Sequence, residues 1–364
     1  MRNSETIAPA QQRQFRHSLL AWFDAHARDL PWRRTDDPYA IWVSEIMLQQ
    51  TRVNAVLDHY ARFLARFPTV KALAQAEEPE VLAVWSGLGY YRRARMLLKA
   101  AKVVADELAG AIPKSAEELK KLPGIGAYTS AAIASIAFGE PVAAVDGNVE
   151  RVVMRLTANG NGAVSETAQE LLDRSCPGNF NQAMMELGAT VCLPQNPLCL
   201  ECPVQQLCRT RGEHPTVPRK KMQAKVVNFA FLERKKRRNC SEILLEMRPK
   251  DASLMAGMWE LPHLGGDKAD PERMLFTLRH SITVTNYQVG ILSFAPNEEH
   301  LLPKHTARKW VQLDAVSKLP ITGLTRKVLK RLHLLPRDSS ICFPVKASGV
   351  AASKLLFPDQ SVAE

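Results

Sequence analysis

Leu122-Pro123-Gly124-Ile125-Gly126 is the stretch from which the fold is read. It joins residues 116–121, rich in Glu, Leu and Lys, to the Ala- and Ile-rich run 128–138. Two glycines in so short a connection let the backbone turn tightly and approach a ligand closely. The amides that open the second helix then face outward at its positive dipole end, which suits a phosphate oxygen. Gly124 and Gly126 are therefore candidate phosphate contacts, of the kind that hold a nucleic acid backbone without reading sequence. A glycine-containing turn between two helices looks the same in isolation, so the rest of the chain must decide.

Around this hairpin, from Phe15 to about Thr210, apolar residues recur at three and four, which predicts a succession of helices. Prolines 31, 38, 68, 79, 113, 123 and 141 fall between the periodic segments, where helices end or restart. From Arg211 the composition turns polar and basic, then from Val226 the period shifts towards two and β-branched residues gather. Strands are expected over 226–232, 241–247 and 281–289, with a closing helix over 322–332. A chain of 364 residues exceeds what one core usually fills. The division expected is a flexible N-terminus (1–14), a helical domain (15–212), a linker (213–225), a smaller α+β domain (226–334) and a loose tail (335–364).

Lys and Arg number 48 against 37 Asp and Glu, a net charge of +11. That excess favours a polyanion or an anionic membrane surface as partner. The polar N-terminus has no apolar signal region, and no run approaches the length of a membrane span, so a soluble cytoplasmic protein is expected. Of seven cysteines, Cys192, Cys199, Cys202 and Cys208 fall within 17 residues. Four thiolates that close together, among Pro194, Pro197 and Pro203, form a ligand set for one metal centre. A reducing cytosol disfavours stacked disulfides, and the spacing leaves zinc and a [4Fe–4S] cluster both open.

Two carboxylates stand in opposite settings. Glu45 lies inside Ile41-Trp42-Val43-Ser44-Glu45-Ile46-Met47-Leu48, where on a helix its same-face neighbours are Ile41, Trp42, Leu48 and Gln49. A carboxyl so surrounded is poorly solvated and holds its proton, as a general acid near neutral pH requires; a solvated helix face is the alternative. Asp146 precedes Gly147-Asn148-Val149-Glu150-Arg151 at a helix start, where backbone amides and the dipole favour its charged form. A plain N-cap would read the same. One neutral and one anionic carboxyl is the division of labour of glycosidic bond cleavage.

At this point the chain resembles a known family. Leu30-Pro31-Trp32-Arg33, the block 42–51, Gly87-Leu88-Gly89-Tyr90-Tyr91, residues 122–128, Val145-Asp146-Gly147-Asn148-Val149-Arg151 and the cysteine group resemble the MutY-family adenine DNA glycosylases. The resemblance covers the N-terminal two-thirds. It implies a multidomain protein: an all-α helix–hairpin–helix glycosylase domain whose four cysteines hold a [4Fe–4S] cluster, and a C-terminal α+β, Nudix-like domain. The implied reaction is excision of adenine mispaired with 8-oxoguanine or guanine in double-stranded DNA, by a monomer, associated with the nucleoid in a bacterium. Glu45 would protonate the extruded base, Asp146 would stabilise the sugar cation, and Tyr128 and Asn148 would line the pocket. Trp32, Arg33 and Glu186 match positions around the flipped base; Gln50 and Tyr90 match residues that wedge into the duplex. For Tyr90 a core aromatic, and for Glu186 a capping or surface acid, are the plainer readings. Endonuclease III relatives carry a lysine nucleophile where this chain has Tyr128, and a phenol cannot form a Schiff base, so little strand cleavage is expected.

The C-terminal segment Gly257-Met258-Trp259-Glu260-Leu261-Pro262 resembles the Nudix-like domain of the same family. No Glu-rich box follows Trp259, so pyrophosphate hydrolysis is not expected there. The family checks 8-oxoguanine through a loop ending in Phe-Ser-His; the matching residues are Leu278-Arg279-His280, with His280 kept. Leu278 is a candidate smaller wedge and Arg279 a candidate phosphate contact. The basic run 234–238 is expected to cap a hairpin as a solvated charge run, with phosphate contact as the alternative.

Overall fold

The computed structural model describes residues 7–158, 164–212, 222–236, 240–265, 270–282 and 284–335. Among them the helical part comprises α1 (Pro9–His26), α2 (Pro38–Leu48), α3 (Val53–Arg66), α4 (Val70–Ala74), α5 (Glu78–Trp85) and α6 (Arg92–Glu107), followed by α7 (Ala116–Leu119), α8 (Ala127–Phe138), α9 (Gly147–Thr157), α10 (Val164–Leu171) and α11 (Pro177–Thr190). The first helix starts at Pro9, whose fixed φ suits an opening turn. The N-terminus expected to be free through residue 14 therefore gives its last six residues to α1. No helix among the described residues is long and apolar enough to cross a membrane.

Two apolar clusters build this part. One gathers α2 to α8 around Trp42, Phe63 and Trp85. The other gathers α1, α9, α10 and α11 around Phe15, Phe180 and Leu187. Helix α2 begins on Asp37, whose side chain accepts the Tyr39 amide, with Pro38 in its first turn. Residues Tyr39 to Met47 are all buried, so α2 runs through the interior rather than along it. Helix α8 opens on Gly126, ends on left-handed Gly139 (φ +71°) and lies against α2 and α11.

The hairpin glycines have different reasons. Gly124 sits at φ +77°, and a Cβ there would come within 2.5 Å of Met96 Cβ. Gly126 has open space around it, so its contribution is an N-cap without a side chain to cover the first amides of α8.

The second part carries β1 (Gln223–Lys236), β2 (Cys240–Met247), β3 (Trp259–Glu260), β4 (His263–Leu264), β5 (Met274–Ile282), β6 (Thr285–Phe294), β7 (Arg308–Gln312), α12 (Leu313–Val316) and α13 (Gly323–Arg331). The sheet order is β3-β2-β1-β6-β5, with β4 beside β1 and β7 beside β2. Among the described strands, β1 and β6 are the pair that runs parallel. This is the α+β arrangement expected from the change of period.

Three boundaries differ from expectation. Strand β1 starts at Gln223, three residues earlier, because Gln223, Ala224 and Lys225 pair with Thr285, Asn286 and Tyr287 of β6. The single strand expected over 281–289 is instead the closed end of the β5–β6 hairpin, whose pairing reaches Ile282 and Thr285. Leu335 is buried in the domain core, so it does not belong to the tail; residues 336–364 lie outside the described residues, as do 213–221 of the linker. The basic run is only partly free, since Arg234 and Lys236 both pair with buried Glu242. Arg237 and Arg238 lie outside the described residues.

The loop before α9 is held by two side-chain amides, Gln169 at Pro141 and Ala143 and the buried Asn181. Asn181 Oδ1 accepts the Ala144 amide (3.1 Å), and its Nδ2 donates to Ser135 Oγ (2.8 Å) and the Val142 carbonyl (2.9 Å). Asn181→Ala leaves a buried backbone donor and acceptor unpaired and should cost about 3 kcal/mol. Urea unfolding reads this; a loss under about 1 kcal/mol would show that water replaces the amide.

Candidate active site

A cavity of about 560 Å³ opens where α2 and α8 of the first cluster meet α9 and α11 of the second. Glu45 reaches it from α2, Tyr128 from the first turn of α8, Asp146 and Asn148 from the start of α9, and Glu186 from α11. Trp32, Arg33 and Gln50 line it as well. The structure thus brings together eight of the residues singled out in the sequence.

Glu45 is 6% exposed and receives the Tyr128 hydroxyl at 2.7 Å on Oε2. Burial pushes its carboxyl up to about 7. The Tyr128 bond pulls the other way, the charge of Asp146 adds to the rise, and Arg33 opposes it. A solvated setting for Glu45 is excluded. Burial, with the neighbouring Glu45, also raises Tyr128 well above the ordinary phenol value, so it stays a donor.

Asp146 is the N-cap of α9 and a wall of the cavity at once. Its Oδ1 accepts the amides of Asn148 (2.9 Å) and Val149 (2.8 Å), and its Oδ2 accepts Asn148 Nδ2 (2.9 Å). Helix α11 comes close enough to fix Asn148: a Cβ on Gly188 would lie 2.6 Å from Asn148 Cβ. Arg151 donates to Asn148 Oδ1 (2.9 Å), to the Gly188 carbonyl (2.6 Å) and to the Cys192 carbonyl (2.8 Å).

Glu186 is neither a cap nor a surface acid. It is buried and bonded to Arg28 Nε and Nη2 (both 2.7 Å) and Arg33 Nη2 (2.8 Å). Burial alone would raise its carboxyl, but the two guanidinium groups hold it down at about 2. Trp32 packs edge-on to Tyr60 with ring centroids 5.4 Å apart.

Gln50 also borders a second cavity with Tyr90, Arg93 and Gly124. Gln50 and Tyr90 both sit at positive φ (55° and 48°), and Tyr90 is 45% exposed, so it is not a core aromatic. His280 lines neither of these cavities. It stands inside β5, opposite Tyr287, rather than at the end of a loop, and burial, aided by the charge of Lys327, lowers its ring pKa. Leu278 is packed in the domain core and cannot serve as a wedge; Arg279 is exposed.

Sequence reasoning missed Arg28, Gln49, Met185 and Arg93. Arg28 meets Glu186 across 158 residues, and no local pattern announces it. Gln49 Nε2 donates to Thr129 Oγ1 (3.1 Å), and Met185 Sδ lies 3.4 Å from the Tyr128 hydroxyl oxygen. Arg93 donates to the carbonyls of Ile46, Met47 and Gln49, closing the C-terminal end of α2.

The four cysteines of the 192–208 loop are all free and half-buried, and line one small cavity with Arg155, which donates to Cys192 Sγ (3.3 Å). All four side chains therefore face the same small space. Among the described residues, no three His, Cys, Asp or Glu side chains are arranged to hold a single metal ion. Four cysteine thiols around one small cavity are the donor set that a [4Fe–4S] cluster takes.

Residues 43–177 match the HhH-GPD superfamily of base excision DNA repair proteins, and residues 192–208 match the iron-sulfur binding domain of endonuclease III. These residues form a glycosylase fold of the helix–hairpin–helix class with an iron–sulfur segment; the cofactor is a [4Fe–4S] cluster, and the four cysteines around one cavity are a donor set that fits it. The human adenine DNA glycosylase is 50% identical over 219 residues, covering 56% of this chain and 40% of that protein. The Mycolicibacterium smegmatis adenine DNA glycosylase is 44% identical over 202 residues, covering 53% of this chain and 68% of that protein. A solved thermostable thymine-DNA glycosylase superposes with TM-score 0.52 at 30% identity, over 56% of this chain and 97% of its own. A trapped endonuclease III–DNA covalent intermediate gives 0.50 at 26%, over 56% of this chain and 97% of that one. The chain belongs to the MutY family of adenine DNA glycosylases. It spans less than half the length of the mammalian relatives that it matches (40% of the human and 41% of the rat protein).

The raised pKa of Glu45 has a measurable cost. Its value in the fold, about 7, lies above the ordinary 4.5 of the unfolded chain. The linked stability is therefore complete below pH 4.5, falls as the pH rises, and is gone above about 7. Glu45→Gln has no proton to lose there, so its urea midpoint should gain on the parent's between about pH 5 and pH 8. Parallel pH profiles for the two proteins would mean that Glu45 is ionised in the fold.

Proposed function

We propose that this protein hydrolyses the N-glycosidic bond of adenine mispaired with 8-oxoguanine or guanine in double-stranded DNA, acting as a monomer and without strong strand cleavage. The observation that carries the reading is the pair Glu45 and Asp146, one neutral by burial and one bonded to three hydrogen-bond donors, on the walls of one cavity. Its volume of about 560 Å³ falls within the usual range of ligand pockets. The adenine enters by leaving the base stack, with Gln50 and Tyr90 occupying the gap.

Glu45 gives its proton to N7 of the adenine, so the base departs as a neutral leaving group when the C1′–N9 bond breaks. The sugar is left as an oxocarbenium-like cation, which anionic Asp146 stabilises or captures. Water then adds at C1′ and its released proton restores Glu45. Tyr128 keeps the Glu45 carboxyl oriented, and Asn148 holds Asp146. The Arg28–Glu186–Arg33 group, with Trp32, shapes the wall against the base. Cys192, Cys199, Cys202 and Cys208 would hold the [4Fe–4S] cluster, which would fasten the 192–208 loop beside Arg155 of α9, outside the reaction itself. Gly124 and Gly126 supply phosphate contacts at the mouth of α8. Tyr128, a phenol, forms no Schiff base with the sugar.

The C-terminal domain is read as Nudix-like and non-hydrolytic, on its sequence resemblance, and His280 is its contact to the base opposite adenine. Burial keeps that imidazole neutral near pH 7, with a donor and an acceptor for a base edge.

The test is a panel of duplexes with A opposite 8-oxoguanine, A opposite G, A opposite T, or thymine glycol, each treated with alkali after incubation. Product from the first two alone supports the reading. Product from thymine glycol points to a broader glycosylase/lyase, and none at all to a DNA-binding iron–sulfur protein without catalysis. Glu45→Gln should bind the mispair yet lose at least about a hundredfold in rate, the usual worth of general acid catalysis; near-normal turnover would remove Glu45 from its role.

A further inference from the structure

The turn that carries Tyr90 is fastened from two sides, and one of them belongs to the C-terminal domain. Within the helical domain, Trp85 Nε1 donates to the Gly89 carbonyl (3.1 Å), and the Arg93 guanidinium lies 5.3 Å from the Tyr90 ring centroid. On the other face, Ser86 Oγ donates to the Ile321 carbonyl (2.9 Å) and accepts from Arg326 Nε (3.2 Å). Tyr91 Oη approaches the same carbonyl at 3.5 Å. Ser86 and Tyr91 are both buried.

The backbone between them has little freedom of its own to define its path. Gly87, Gly89 and Tyr90 all hold positive φ (113°, 71° and 48°), so the turn depends on what grips it. The His59 ring lies 3.1 Å from the Cβ position of Gly87 on one side, and Arg326 Cδ lies 3.9 Å from it.

The gripping segment is itself tied to the Gly257-Met258-Trp259-Glu260 stretch. Trp259 exchanges backbone bonds with Pro320 and Thr322. Met258, beside it, is fully buried in the apolar cluster of the helical domain, and Arg95 donates to the Ala256 carbonyl (2.5 Å). A residue of one domain seated in the core of the other makes this junction a fixed joint rather than a loose contact.

We propose that Arg326, acting through Ser86 and the Ile321 carbonyl, is a positioning residue for Tyr90. Through it the C-terminal domain sets the insertion of the wedge into the duplex. The latch itself is a property of the protein without DNA; its effect on base extrusion rests on the excision reading above.

Two measurements on the full chain separate these. Amide hydrogen exchange without DNA reads the latch at Leu88, whose amide donates to Trp85 (3.2 Å), and at Arg93, whose amide donates to Tyr90 (2.9 Å). Arg326→Ala should speed exchange at both by about tenfold, the worth of one hydrogen bond to a charged group, with α3 and β2 at parent rates. Unchanged exchange at Leu88 and Arg93 overturns the latch whatever the protein does to DNA, and faster exchange in β2 as well would mean that the domain itself has loosened and would equally overturn it. The second measurement follows the fluorescence rise of 2-aminopurine placed at the adenine position. Arg326→Ala should slow that rise about tenfold when Tyr90 is present, and less than about twofold in a Tyr90→Ala background. Equal slowing in both backgrounds, or none in either, would overturn the positioning role even with the latch intact.

Discussion

A carboxyl group at the centre of an otherwise apolar, fully buried helix stays there only if its surroundings keep it neutral. In α2 that group is Glu45, and the rest of the active site is built to this condition. Tyr128 supplies a donor, so the carboxyl is not left unpaired. Asp146 lies near enough to disfavour a second negative charge. Arg33 could neutralise Glu45, but it is spent on Glu186, which with Arg28 forms its own compact ion-paired group. Two acids of the same cavity are thus pushed to opposite ends of the scale, Glu45 to about 7 and Glu186 to about 2. The difference comes from partners: both are buried, and only Glu186 is bonded directly to guanidinium groups.

The positions of these groups follow from how the two apolar clusters meet. Glu45 and Tyr128 belong to the α2–α8 side, Asp146 and Glu186 to the α9–α11 side, so the cavity is a seam between cores. Asn181 bridges the seam from α11 to α8 and to the loop leading into Asp146. Arg151, in the second turn of α9, ties that helix to the first cysteine of the iron–sulfur loop. A seam held by buried polar groups is specific in geometry, and it fails sharply when one partner is removed.

Much of this was legible in the sequence because the signals are local. The hairpin, the charge-free run around Glu45, the N-cap position of Asp146 and the cysteine spacing are each read within about a dozen residues. What escaped is what distance in the chain conceals. Arg28 and Arg93 act on residues far along the sequence or through carbonyls, which carry no letter. The strand expected over 281–289 failed for a related reason: its alternation continues across a hairpin turn, so the period alone could not mark the reversal. Leu278 matches a wedge position of the family by motif alone, whereas its place on the inward face of β5 makes it part of the domain core. Met258 stood in a stretch quoted for its resemblance, and its burial in the other domain is visible only in three dimensions.

The account turns on the protonation of one group, and that can be observed without substrate. Carbon-13 labelling of the glutamate side chains, with Glu45→Gln to assign the signal, allows the Glu45 carboxyl shift to be followed with pH. A midpoint near 7, moving higher in Tyr128→Phe because the bond that favours the anion is gone, is the predicted result. A midpoint near the ordinary 4.5 would contradict it, since the buried carboxyl would then have no proton to give at neutral pH.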